Sequence, residues 1–194
     1  ILTLYNDISL TRFHPLSVEE KVITKGELLS TSKKVVLFVH TFNKSRGADI
    51  LPLIAQEIKD RKLDVIIVAI GRPGDYSSEL DRQINKYQLQ DCFINLGMVA
   101  NKDIDKYYKI SDLFIMPSRG EGFPRVLLES MACSCPTLAF DVGGVANILS
   151  NSTTDELLIP LCDEKRFVEQ SLRLISINSL LTELGQKSYK KSLL

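Results

Sequence analysis

Asp64-Val65-Ile66-Ile67-Val68-Ala69-Ile70 (DVIIVAI), followed at once by Gly71-Arg72-Pro73-Gly74, is the stretch that decides the fold. An unbroken apolar run does not alternate in and out as a strand with one wet face would. It predicts a strand covered on both faces, as in a parallel sheet clothed by helices. The glycine and proline that follow mark a turn. The same pattern recurs on either side: Val35–His40 (VVLFVH), Cys92–Leu96 (CFINL), Asp112–Met116 (DLFIM), Pro136–Phe140 (PTLAF) and Glu156–Ile159 (ELLI) read as further buried strands. Helical spacing fills the gaps. Ile50, Ile54 and Ile58 recur every four residues, with Leu51 and Ala55 beside them, and Leu80, Ile84 and Tyr87 do likewise. Ile104, Tyr107 and Tyr108 follow Asn101, which reads as an N-cap. Val126, Leu127, Leu128 and Met131 follow Pro124, suited to a first helical turn. Phe167, Val168, Leu172 and Ile175 mark a later helix, and Leu180, Leu181 and Leu184 a last one. Alternating strand and helix in this way gives an α/β fold, a doubly wound parallel sheet with helices on both faces. Residues 1–33 are weakly periodic and read as a linker or edge segment leading into a domain over residues 34–194.

Composition narrows the function classes. The 194 residues suit one domain, and 44% hydrophobic with 25% charged residues is ordinary globular composition. Lys plus Arg equals 24 and Asp plus Glu equals 24, so no basic excess favours nucleic acid. The longest aliphatic run, Val65–Ile70, falls far short of the ~20 residues that span a bilayer. Ile1–Leu4 meets Asn6 and Asp7 at once, unlike a signal peptide, and without an initiator methionine the chain is expected to be a fragment. Cys92, Cys133, Cys135 and Cys162 form no CxxC pair. Cys133-Ser134-Cys135 allows metal binding or a redox pair, but small buried thiols in a reducing compartment are the favoured reading.

In such sheets ligands bind where the carboxyl ends of strands lead into helix N-termini. The loops to inspect are His40–Gly47, Gly71–Ser77, Gly97–Asn101, Pro117–Pro124 and Asp141–Val145. Gly71-Arg72-Pro73-Gly74 is not GxGxxG, so a dinucleotide oxidoreductase loses its main support. Pro117–Pro124 reads PSRGEGFP, with two glycines that let a ligand approach the backbone. The free amides of the helix that follows, those of Arg125 and Val126 among them, suit phosphate oxygens. Glu121 in the loop and Glu129 in the helix offer carboxylates to sugar or ribose hydroxyls. Taken singly, Glu121 is better explained as stabilising its own helix N-terminus and Glu129 as a solvated helix charge.

Together, Ser118–Glu129 (SRGEGFPRVLLE) resembles the E-x7-E motif of retaining glycosyltransferases with the GT-B fold, of the group 1, family 4 type. The likeness runs in order along nearly the whole chain. Asn6–Pro15 (NDISLTRFHP) resembles that family's interdomain segment, and Phe93–Gly97 (FINLG) its V-x-F-L-G strand. Ser111–Ser118 (SDLFIMPS) resembles A-D-V-F-V-L-P-S, and Phe140–Gly144 (FDVGG) resembles T-D-V-G-G.

The resemblance implies the C-terminal, donor-binding, Rossmann-like half of such an enzyme, with the acceptor held by an N-terminal half outside this sequence. It implies that Glu121 contacts hydroxyls of the donor sugar and that Glu129 holds the ribose. The amides around Gly122, Phe123, Arg125 and Val126 would face sugar and diphosphate, while Gly71, Arg72 and the Met98 backbone frame the nucleobase. Where the family carries G-R-x-x-x-x-K-G, this chain has His40-Thr41-Phe42-Asn43-Lys44-Ser45-Arg46-Gly47. Thr41 thus stands at the arginine position and Arg46 at the lysine position, with fork in place of point geometry. Lys44 is either a second cation for the diphosphate or a solvated loop lysine. Ser134, Asn147 and Glu156 also depart from the family's usual Gly, Glu and Gly.

The implied reaction is transfer of a hexose-type sugar, with retention, from a UDP- or GDP-linked donor to a saccharide or lipid-linked acceptor. The donor is a substrate, and no cofactor is expected. Charge growing on the leaving diphosphate would meet Arg46, Lys44 and the helix start after Pro124. No metal is expected, since side-chain cations and the helix dipole would take its place at the diphosphate and no His-rich cluster occurs. The implied setting is cytoplasmic, at the inner face of a membrane, and Lys187, Lys190 and Lys191 are compatible with peripheral association. A second reading, favoured by Thr41, is a non-catalytic nucleotide-sugar-binding or regulatory domain of the same fold. A nucleotide-sugar epimerase ranks lower, since only His14 and His40 supply imidazoles.

Overall fold

The computed structural model describes residues 8–149 and 155–193. Asn6 and Asp7, the start of the expected interdomain segment, and the terminal stretch Ile1–Leu4 lie outside the described residues. Six parallel strands form one sheet: β1 (Lys34–Val39), β2 (Val65–Ile70), β3 (Phe93–Gly97), β4 (Leu113–Met116), β5 (Thr137–Phe140) and β6 (Leu158–Ile159). Their order is β3-β2-β1-β4-β5-β6. The chain winds outward from β1 to β3, returns, and winds the other way from β4. The winding therefore reverses between β1 and β4, the place where such sheets open a crevice.

Every residue of β2, β4 and β5 is buried, as continuous apolar runs require. α2 (Leu51–Asp60), α3 (Ser77–Lys86) and α7 (Glu164–Ser176) pack together, with Phe167 of α7 meeting Phe140 of β5 at 4.9 Å between rings. α4 (Ile104–Ile110) and α5 (Arg125–Ala132) pack against each other, and α4 sets Tyr108 edge-on to Phe114 of β4 at 5.4 Å. α6 (Val145–Leu149) is short, and α8 (Asn178–Ser192) touches both α5 and α7. Among the described residues no helix is long and apolar enough to cross a membrane. Lys187 on α8 is paired with Glu183 at 2.5 Å.

Several local expectations are corrected. Within residues 1–33, read as linker or edge, a helix forms: α1 (Val18–Leu29). It buries none of its residues, so no apolar face betrays it in the sequence. Its start is a capping box, in which Ser17 and Glu20 bond each other's backbone amides at 3.2 and 2.8 Å. The preceding residues are pinned by Arg12, which donates to Asp105 Oδ1 at 3.1 Å and to the backbone carbonyl of Asn101. Asn101 is not an N-cap; it opens a 3-10 turn over Asn101–Asp103, and α4 begins after it. Pro124 is the N-cap of α5 and not its first helical residue. β6 is only two residues long, because a 3-10 turn over Asp155–Leu157 takes the start of the expected strand. Cys92, Cys133 and Cys135 are buried free thiols, but Cys162 is exposed on a turn with φ of 64°. Burial pushes the Cys133 thiol up to about 12 and raises that of Cys135 as well. Among the described residues, no three His, Cys, Asp or Glu side chains gather as a metal set, around Cys133 and Cys135 or elsewhere.

Candidate functional site

Four loops meet at the carboxyl edge of the sheet and bond to one another. The β1 and β2 loops are joined by Phe42 N–H to Arg72 O at 3.0 Å and Tyr76 N–H to Phe42 O at 2.9 Å. Asn43 Oδ1 accepts from Asp75 N–H, and Asp75 Oδ1 accepts from Lys44 N–H, both at 2.9 Å. The contact is so close that a Cβ on Gly71 would lie 1.7 Å from the His40 carbonyl oxygen. The β4 and β5 loops are joined by Gly144 N–H to Gly122 O at 2.9 Å. Gly143 has φ of +54°, and a Cβ there would lie 1.9 Å from the Glu121 carbonyl oxygen. These two glycines serve loop-on-loop packing; Gly120 and Gly122 have open space where a Cβ would stand.

Arg119, to which the sequence reading gives no role, clasps the β1 and β4 loops. Its backbone N–H donates to Ser45 O at 2.9 Å, and its guanidinium donates to Lys44 O. The same guanidinium grips Asp49 with two bonds, 2.8 and 3.0 Å, and reaches Glu164 of α7 at 2.6 Å. Arg119 and Asp49 are separated by 70 residues, so no local pattern announces the pair.

On this clasp rests the first acidic residue. The Glu121 side chain is only 10% exposed, with Arg46 Nη1 2.8 Å from its Oε1. That Arg46 nitrogen donates instead to Gly120 O at 2.5 Å, and Oε1 is left buried without a hydrogen bond of good geometry. His40 Nε2 stands 3.6 Å from the same oxygen. The imidazole accepts the Thr41 N–H on Nδ1 at 2.8 Å. Burial lowers the His40 pKa, Arg46 lowers it further, Glu121 opposes them, and Arg72 adds the smallest pull downward. The sequence reading matched Glu121 and Arg46 to a motif and treated His40 only as a loop residue.

The second acid lies across a cleft of about 660 Å³ lined by His40, Thr41, Gly71, Arg72, Met98, Val126 and Glu129, among others. Gly71, Arg72, Met98, Val126 and Glu129 are thus brought together as expected, at a size suited to a small organic ligand. Glu129 is not a solvated helix charge. It is half-buried, and burial raises its carboxyl pKa against the smaller pulls of the Tyr108 hydroxyl, Arg125 and Arg12. The Tyr108 hydroxyl beneath it is fully buried with no hydrogen bond of good geometry. α5 begins beside the cleft with no side-chain cap. Other expected site residues stand apart from the cleft lining. Glu121 and Arg46 are not among its lining residues, Lys44, Gly122 and Arg125 are exposed, and Phe123 packs partly into the core.

A family model described as glycosyl transferases group 1 matches residues 19–191. Spore coat protein SA of Bacillus subtilis (strain 168) is 26% identical over 200 residues, covering 98% of this chain and 53% of that protein. The chain thus spans about half the length of that relative. The solved C-terminal domain of a glycosyl transferase group 1 family protein (LpcC) from Francisella tularensis superposes with a TM-score of 0.82 at 21% identity. That match covers 96% of this chain and 97% of that domain. Anabaena HepE, solved in complex with UDP, gives a TM-score of 0.83 at 20% identity over 97% of this chain and 51% of its own.

Proposed function

Since the chain belongs to the group 1 glycosyl transferases, we propose that it is the donor-binding half of an enzyme that moves a hexose-type sugar from a nucleoside diphosphate to a saccharide or lipid-linked acceptor. One observation carries this reading: Glu129 lines the crevice at the sheet's winding reversal, and His40, which lines it too, has its Nε2 3.6 Å from Glu121, the acid eight positions before Glu129. A nucleotide laid in the cleft meets Gly71, Arg72 and Met98 at one end and Glu129 as acceptor for ribose hydroxyls. Its diphosphate then faces the uncapped start of α5 and the guanidinium of Arg46. Arg46 has one nitrogen bonded to Gly120 O and ion-paired with Glu121, and its other N–H groups remain for phosphate oxygens. These donors would offset charge as the sugar–phosphate bond breaks, the step at which fixed dipoles act most strongly. Transfer with retention and without metal, in the cytoplasm at a membrane face, belongs to the same proposal. That HepE was solved with UDP supports a uridine nucleotide as the first ligand to try.

Thr41 lines the cleft where the family pattern has arginine, and this favours a second reading as a domain that binds nucleotide sugars without transferring them. Calorimetric titration with UDP, GDP and their common sugar derivatives tests the shared part: at least one should bind and protect the domain against unfolding. Glu129→Ala should abolish that protection. If no nucleotide binds the unaltered chain, both readings fail. A product assay on the intact enzyme then separates them, since tight binding with no transfer selects the second.

A further inference from the structure

All three nitrogens of the Arg12 guanidinium donate. Nε bonds Asp105 Oδ1 at 3.1 Å, Nη1 bonds Asn101 Oδ1 at 3.2 Å, and Nη2 bonds the Asn101 carbonyl oxygen. Asn101 lines the cleft together with Met98, Val99 and Ile104, so one wall of the cleft is gripped by a residue 89 positions earlier in the chain. The gripping segment is itself well fixed. The backbone N–H groups of Arg12 and Phe13 donate to Ser9 O at 3.0 and 2.8 Å. The Phe13 ring is buried, edge-on to Tyr108 at 6.2 Å, and the guanidinium lies 4.6 Å from the Phe13 ring centre. The gripped segment has less to hold it. Met98, Ala100 and Asn101 are exposed, and Gly97 before them has φ of +61°. An exposed turn with little apolar burial opens at low cost. Stability of the fold alone does not account for this arginine. Asp105, 7% exposed, already has Lys109 Nζ at 3.0 Å. α4 begins at Ile104, and a cation beside a helix N-terminus meets the positive end of the helix dipole. What the guanidinium supplies and Lys109 does not is the fork onto both oxygens of Asn101.

We propose that Arg12 is a positioning residue of the donor cleft: it presets the wall formed by the loop between β3 and α4, so that a nucleoside diphosphate meets that wall already in place. The inference rests on the nucleotide-sugar reading and deepens it. A wall ordered before the ligand arrives spares binding the entropy of ordering it.

The test compares the unaltered chain with Arg12→Lys and Arg12→Ala by calorimetry with UDP, GDP, CDP and ADP, by thermal melting and by amide hydrogen exchange. Lysine keeps a charge for Asp105 but ends in a single ammonium, which cannot span Asp105 and both oxygens of Asn101. Arg12→Lys should therefore melt close to the unaltered chain yet bind the preferred nucleotide roughly fivefold more weakly, the worth of one hydrogen bond. In that variant the amides of Met98–Asp103 should exchange faster while those of β1 and β2 keep their rates, and saturating nucleotide should remove the difference. Arg12→Ala should show the same local exchange together with a lower melting temperature. The inference is overturned if either variant keeps the unaltered affinity. It is likewise overturned if exchange quickens evenly across the sheet, or if the Met98–Asp103 amides exchange no faster, which would make Arg12 a brace for the fold only. If none of the four nucleotides binds the unaltered chain, the nucleotide-sugar reading itself fails and takes this one with it.

Discussion

Replacing Arg119 with alanine should loosen the whole carboxyl edge, and the size of the effect follows from its partners. The Arg119 and Asp49 side chains are only 19% and 12% exposed, and their fork-to-fork bonds are 2.8 and 3.0 Å. Truncating one member of a mostly buried pair leaves the other charge unpaired, at a cost on the order of 3–5 kcal/mol. The arm to Glu164, whose side chain is 44% exposed, adds little. A domain of this size loses about 2–4 °C of melting temperature per kcal/mol, so the midpoint should fall by roughly 6–20 °C. Circular dichroism melts read this directly. The double variant Arg119→Ala/Asp49→Ala should be clearly more stable than the sum of the single losses, with a coupling of about 2 kcal/mol. A midpoint within a degree or two of the unaltered chain, or strictly additive losses, would show that the clasp contributes nothing.

Glu129→Gln should raise the melting temperature at pH 7.5. Burial lifts the folded carboxyl pKa above its unfolded value, so the folded state binds the proton more tightly. Ionisation therefore costs stability as pH rises through that window, and the cost vanishes below about pH 4. The gain should fade on acidification, and a variant destabilised at pH 7.5 would contradict the burial argument. Gly143→Ala should cost on the order of 1–3 kcal/mol, from a strained φ and the clash with the Glu121 carbonyl. It should also weaken nucleotide-sugar binding; unaltered binding by calorimetry would mean that this turn does not set the position of Glu121. Thiol titration of the native protein should label Cys162 quickly, and Cys92, Cys133 and Cys135 only in denaturant. Rapid reaction of a second thiol without denaturant would refute the buried placement.

The sheet was legible because its strands are buried on both faces, and an unbroken run such as Val65–Ile70 has few other readings. Helices that bury one stripe, such as α2 with Ile54, Ala55 and Ile58, were equally plain. α1 escaped because it buries nothing and periodicity has nothing to register, although the Ser17-Val18-Glu19-Glu20 capping box was there to be read. Asn101 misled because an asparagine before an apolar pair also suits a 3-10 turn. At the site, motif spacing singled out Glu121, Glu129 and Arg46 as candidates, whereas their electrostatic setting was not legible. The Arg119–Asp49 clasp and the pairing of Arg46 with Glu121 both arise from contacts between distant loops. Long-range polar pairing of this kind leaves no period in a sequence.

The bare hydrogen of Gly71 against the His40 carbonyl has a mechanical result. With no side chain between them and backbone bonds on either side, the two loops form a single slab and not a pair of independent fingers. Arg72, next to Gly71, therefore stands beside His40, with only main chain between the arginine's loop and the imidazole's. A larger residue at position 71 would have to part the two loops, and with them the side chains of His40, Thr41 and Arg72 that line one wall of the cleft.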